Sequence, residues 1–169
     1  EEFGNVHIND ADTVNTYAQY LKYIGSEQMA YLKNSVKLTD GKAQLFTNDL
    51  EYDLQSGIAR YRGGGRVING KTVLTSNEAV YYSDTKDAFF QQNVHLTDPK
   101  YDMRADSLRY NTEFKNAYFI SPTHIVSDDG IIDTRSGTYN LETGEAVFLD
   151  RTVFRDSTRF ISGNQVAFE

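Results

Sequence analysis

Gly65-Arg66-Val67-Ile68-Asn69-Gly70-Lys71-Thr72 satisfies a pattern in which backbone N–H groups and a lysine cradle nucleotide phosphates. That chemistry needs a helix opening at the Lys-Thr pair, so that free N–H groups point at the phosphate. Here Lys71-Thr72 runs into Val73-Leu74-Thr75, a strand-like stretch, and Gly41-Lys42 and Pro99-Lys100 hold the matching place in other copies of a repeat. The segment therefore reads as a turn. Metal chemistry has little to work with, since the chain lacks cysteine and carries three dispersed histidines, His7, His95 and His124. A zinc site draws three or four convergent ligands, and His95 and His124 sit beside Val94 and Ile125 on what should be the solvent face. No metal and no other cofactor is expected.

The carboxylates follow the repeat as well. Asp40, Asp98 and Asp156 fall in turns, and Asp49 and Asp106 fall at a recurring polar pair. No carboxylate pair, and no nucleophile with a nearby base, stands outside the repeat, so the chain does not read as an enzyme. Basic residues gather around Arg60, Arg62, Arg66 and Lys71, and again around Arg151, Arg155 and Arg159. They form either a solvated outer face or a contact for anionic lipid headgroups at the mouth of the fold. A formal net charge of −7 argues against a nucleic-acid partner, whose phosphates are met by clustered Lys and Arg.

The elements that carry these residues recur every 29 positions without insertion or deletion. Tyr23, Tyr52, Tyr81, Tyr110, Tyr139 and Phe168 form one column, and Ala30, Ala59, Ala88, Ala117 and Ala146 a second. Leu45, Leu74, Met103, Ile132 and Ile161 form a third; Leu38, Val67, Leu96, Ile125 and Phe154 a fourth. Fixed spacing over five copies implies a stacked fold in which neighbouring copies touch in register.

Within one copy, Ala59, Tyr61, Gly63, Gly65 and Val67 alternate along one side of a strand. Ala88, Phe90, Gln92, Val94, Leu96 and Ala117, Phe119, Ser121, Thr123, Ile125 repeat the pattern. A turn follows at Asp40-Gly41-Lys42, Asn69-Gly70-Lys71, Asp98-Pro99-Lys100 and Asp128-Asp129-Gly130. In the next extended segment the apolar parity changes between Leu45/Thr47 and Leu50/Tyr52. The change falls on Asn48-Asp49, matched by Asn77-Glu78, Asp106-Ser107 and Asn164-Gln165, which predicts a bulge creasing the strand there. Val14, Ala18 and Leu21 follow helical spacing, with Asp10 or Asp12 available as caps, but Thr16–Tyr23 match Leu45–Tyr52 in the repeat, and a strand is expected. The result is all-β: one domain over 1–169, with about a dozen strands in an elongated antiparallel jelly roll, creased and open-ended, with an apolar interior.

Twenty-two Tyr and Phe residues against two prolines suit strands, and no stretch approaches the roughly 20 apolar residues of a membrane-spanning helix. The chain starts at Glu1 in mid-repeat and stops at Glu169, one residue past the tyrosine column, as a mature or truncated segment would.

Thr47-Asn48-Asp49-Leu50-Glu51-Tyr52-Asp53 and Ala105-Asp106-Ser107-Leu108-Arg109-Tyr110-Asn111 resemble the A-D-x-L-x-Y-D element of OstA-like proteins. Gly57–Tyr61 and Asn93-Val94-His95-Leu96-Thr97-Asp98 are similar to segments of the same family. The likeness spans essentially the whole chain and points to a piece of a longer OstA-like protein. The family includes periplasmic LptA-type bridge proteins and the periplasmic N-terminal domain of LptD-type outer-membrane translocons. The resemblance implies a periplasmic module, also associated with the outer membrane, that shields the lipid A acyl chains of lipopolysaccharide in an apolar groove during export. It further implies partners among other Lpt-type components by edge-strand addition, and head-to-tail self-association. The interior candidates are Leu50, Tyr52, Tyr61, Phe90, Leu108, Tyr110, Phe119, Tyr139 and Phe148. A structural spacer with a fully packed interior and no lipid ligand is the alternative.

Overall fold

The computed structural model describes residues 2–9, 15–39 and 43–168, and every regular element in them is a strand. In chain order these are β1 (Glu2–Asn9), β2 (Asn15–Ile24), β3 (Met29–Thr39), β4 (Ala43–Asp53), β5 (Ile58–Tyr61), β6 (Gly65–Asn69), β7 (Thr72–Ser76) and β8 (Glu78–Tyr82). There follow β9 (Asp87–Asp98), β10 (Tyr101–Asn111), β11 (Asn116–Phe119), β12 (Thr123–Ser127), β13 (Gly130–Thr134), β14 (Ser136–Asn140), β15 (Ala146–Arg155) and β16 (Phe160–Phe168). The dozen expected strand lines are present. Four of them break at the crease into β5/β6, β7/β8, β11/β12 and β13/β14, which gives sixteen strands in one antiparallel sheet. Ala18 and Leu21 lie in β2, as the repeat requires; Val14 and the turn at 40–42 fall outside the described residues.

The repeat is held in register by one backbone bond per copy. The N–H groups of Leu54, Ser83, Thr112 and Leu141 donate to the carbonyls of Gln28, Gly57, Lys86 and Lys115, at 2.9 to 3.0 Å. Those acceptors share a left-handed backbone, with φ of 53°, 66°, 59° and 54°. At the same turn Asp53, Asn111 and Asn140 each accept two backbone N–H bonds through a side-chain oxygen. This is why Asp and Asn recur there.

The crease departs from the expected bulge in which strand carries it. The parity change in β4 is real: Thr47 and Leu50 are both buried. The distorted backbone, however, lies in the partner strand. Asn34-Ser35, Gly63-Gly64, Gln92-Asn93 and Asp150-Arg151 are consecutive left-handed pairs. In β3, β9 and β15 such a pair faces a single residue, Asn48, Asp106 or Asn164. Two residues against one leave the bulged strand's buried positions an even number of steps apart, and the partner, one residue short, must switch parity. The left-handed turn also swings Gly63 and Gln92 out to solvent, correcting their expected place on the inner side.

The crease divides the sheet into two half-sheets that share β4, β9, β10 and β15. In the first, β5, β8, β11 and β14 complete the ladder; in the second, β6, β7, β12 and β13 do so. Each half-sheet buries the same face, and Tyr101 of the second meets Tyr139 of the first edge to face, with ring centroids 5.7 Å apart. The halves therefore cover one another, and the core lies between them. Each fully buried Phe or Leu in that core contributes about 1.5–3 kcal/mol.

Candidate functional site: the trough between the half-sheets

The interior is built from rows that run across the strands. Nearest the turn, Tyr23, Ala30, Tyr52, Ala59, Tyr81, Ala88, Tyr110, Ala117, Tyr139 and Ala146 are successive cross-strand partners. From Tyr52 to Tyr139 each ring thus has a methyl group on either side, space that the alanine column provides. Beside it runs a second row, Leu32, Leu50, Tyr61, Ala79, Phe90, Leu108, Phe119, Gly137 and Phe148. Gly137 sits between Phe119 and Phe148, and without a side chain there the two rings stack at 5.7 Å with 15° between planes.

Past the crease the rows change character. Val36, Thr47, Gly65 and Ser76 lie next to it, as do Ala105, Thr123 and Thr134 further along. The last row is aliphatic: Leu38, Leu45, Val67, Leu74, Leu96, Met103, Ile125 and Ile132, ending on Phe154. Hydroxyls close the backbone gaps at the crease. Thr47 donates to the Gly64 carbonyl at 2.8 Å, Thr123 to Ser121 and Thr134 to Ser136, both at 2.9 Å. Among the described residues, no buried side-chain nitrogen or oxygen is left without a partner.

All nine candidate residues point into this trough, and all belong to the first half-sheet. Leu50, Tyr61, Phe90, Leu108, Phe119 and Phe148 are buried, at 5% exposure or less. Tyr52, Tyr110 and Tyr139 are half-buried and pack against the same core. The facing wall was missed as part of the site: Val36, Leu45, Leu74, Val94, Leu96 and Met103. The third and fourth columns had already marked several of these positions as apolar. Tyr101, which stands opposite Tyr139, had no signal, because the matching positions are Ala43, Thr72, Gly130 and Arg159.

Two contacts tie the walls together. The Tyr61 ring lies over Gly65, where a Cβ would collide with it, and its hydroxyl meets Ser76 Oγ at 2.6 Å. Burial pushes the Tyr61 phenol up from its ordinary value. Burial does the same for Tyr101, Tyr110 and Tyr139, with the Asp98 carboxylate adding to the effect at Tyr101 and Tyr139. These rings stay neutral at physiological pH and present an uncharged lining.

The charged groups lie elsewhere. His95 contacts Asp102 at 2.6 Å and His124 contacts Asp133 at 2.6 Å, on the outer face. Arg60, Arg62, Arg66, Lys71, Arg151, Arg155 and Arg159 are exposed. Gly70-Lys71 is a turn between two strands, β6 and β7. Sequence reasoning overlooked Asp87, a nearly buried carboxylate that takes Nε and Nη2 of Arg109 at 3.0 and 2.9 Å and the Asn111 amide at 3.0 Å. Arg109 also lies over the Tyr118 ring, 4.6 Å from its centroid. Asp87 occurs in one copy only, so no column could show it.

A family model described as "OstA-like protein" matches residues 1–106 and again 103–162. The chain belongs to the OstA-like family. No curated protein matches it. Among solved structures it is similar to LptH from Pseudomonas aeruginosa, described as the LptA-homologous periplasmic component of the lipopolysaccharide transport device. The two share 12% identity at a TM-score of 0.56, over 64% of this chain and 84% of that one, a likeness of fold. As an OstA-like protein the chain is a periplasmic lipopolysaccharide-transport module, not an enzyme.

Proposed function

We propose that this OstA-like module shields the lipid A acyl chains of lipopolysaccharide between its two half-sheets. The observation that carries the reading is the apolar trough: three of its four rows are apolar and keep register across consecutive copies, so a chain laid along any of these meets greasy surface. An acyl chain of about a dozen methylenes gains on the order of 10 kcal/mol on leaving water. Contacts to basic residues at a membrane-like surface offer only ~1 kcal/mol each. Apolar lining thus matters more than charge, which suits an acidic protein.

The walls touch through Tyr101–Tyr139 and Tyr61–Ser76, and lipid entry requires them to part. On opening, each wall exchanges its neighbour across the trough for the acyl chain, so its apolar side chains stay covered. β1 and β16 each pair on one side, with β2 and β15, and supply the edges for further Lpt-type components or a second copy. Displacement of a bound fluorescent acyl probe by lipopolysaccharide tests the reading. Saturable competition is expected, and its absence in a folded sample contradicts it.

A second reading is favoured by one observation: Leu108 and Val36 are 1% exposed and Thr152 0%, so the protein's own side chains fill the interior. A spacer with that packed core takes up no acyl probe at any concentration.

A further inference from the structure

On the outer face, at the crease beyond β10, Arg104, Pro122, His124, Arg135 and Arg151 line an open cleft of about 290 Å³ with Thr123 and Thr134 buried at its base. Its local cause is Ser121-Pro122, which stands where other copies place a left-handed pair. Proline fixes φ near −65° and offers no N–H. Ser121 Oγ takes over, accepting from the Ser107 N–H and donating to the Ser107 carbonyl, both at 2.9 Å.

Thr134 and Thr152 join hydroxyls at 2.9 Å, so their chain neighbours, Arg135 in the break between β13 and β14 and Arg151 in β15, come side by side at the cleft. Like charges facing each other across strands are destabilising. Arg151 carries a second cost: its φ is 54°, where Gly64 and Asn93 hold the matching place with residue types that tolerate it. Asp133, the carboxylate of the cleft, is engaged by His124 at 2.6 Å and Arg155 at 3.2 Å. Arg104 shares Asp102 with His95. Among the described residues no ion pair engages Arg135 or Arg151. Fold stability does not account for two such costs at one spot in a chain of net charge −7.

We infer that this cleft binds a phosphomonoester-type dianion, with Arg135 and Arg151 as its main contacts and Arg104 at its rim. Guanidinium forks match the oxygens of a phosphoryl group, and the divalent charge offsets the repulsion between the arginines. The volume sits at the lower end of small-ligand sites and leaves space for whatever carries the phosphate. Because the cleft faces away from the trough, it stands or falls separately from the acyl-chain reading.

The test titrates the folded protein at low salt with inorganic phosphate, followed by calorimetry. In a second arm, phosphatidylcholine vesicles with or without phosphatidic acid are assayed for protein binding. The variant Arg135→Gln/Arg151→Asn is compared with Arg60→Gln/Arg62→Gln, and asparagine is chosen because it suits the left-handed backbone. Thermal melting verifies that both remain folded. Expected is binding that the first variant weakens about tenfold or more, the loss of a charge-assisted contact, and the second leaves intact. Phosphate binding alone identifies a free anion; binding confined to phosphatidic-acid vesicles identifies a lipid headgroup. No binding in either arm, binding retained by the first variant, or equal loss in the second overturns the inference.

Discussion

In the first half-sheet, tyrosines alternate with alanines and phenylalanines with smaller partners; in the second, aliphatic side chains face aliphatic side chains. The first wall gains its cover from flat rings that lean over small neighbours, as Phe119 and Phe148 do across Gly137. The second is a backing of Leu, Val, Ile and Met, broken by Tyr101 and Phe154, with Thr and Ser hydroxyls beside the crease. One repeat thus makes two unlike surfaces, and the ringed wall holds the half-buried tyrosines that a ligand would move first.

Truncations should distinguish the walls. Phe119→Ala is expected to cost about 3–5 kcal/mol, since it removes a stacked ring, whereas Ile125→Val on the opposite wall costs about 0.5–1.5 kcal/mol. Chemical denaturation measures both, and equal losses would erase the distinction. Where the walls meet, Tyr61→Phe deletes the bond to Ser76 and should cost about 1 kcal/mol. No change in the denaturation midpoint would mean that this bond does not help close the trough.

Much of this was legible in the sequence. The columns gave the strands, the parity change gave the crease, and the tyrosine and phenylalanine spacing gave the ringed wall. The left-handed pairs were hidden because Asn34-Ser35, Gln92-Asn93 and Asp150-Arg151 have no residue type in common with Gly63-Gly64. They share a backbone shape, which columns of side chains do not display. The facing wall was read as strands but not as site, since pairing two walls requires knowing how the sheet folds.

The turn that both walls share offers a smaller test. Gly57→Ala puts a Cβ against Ser83 Oγ in a left-handed residue and should destabilise by about 1 kcal/mol or more. Lys86→Gly, at the matching position with φ 59°, should be neutral or stabilising by a few tenths. The same sign for both would reject the shared geometry.

Acid should act on the outer face, away from both walls. Burial opposes ionisation of Asp87, but the bonds from Arg109 and Asn111 outweigh it and hold its carboxyl below the usual range. The hydrogen bond with His95 lowers Asp102, in spite of some burial. Groups lowered on folding stabilise the protein above their unfolded pKa of about 3.9, and that stabilisation is lost as pH falls through the folded value. Melting temperature should therefore drop as pH falls below about 4. Asp87→Asn should begin lower at neutral pH and fall less, whereas an unaltered acid profile in that variant would contradict the assignment.

The central claim is that lipid lies between the walls. A photoreactive phenylalanine analogue at Tyr110, half-buried in the trough, or at Tyr118 on the outer face, tests it directly when the protein is irradiated with lipopolysaccharide. The account predicts a crosslink from position 110 and none from 118. Equal crosslinking at both, or none at 110, would contradict it.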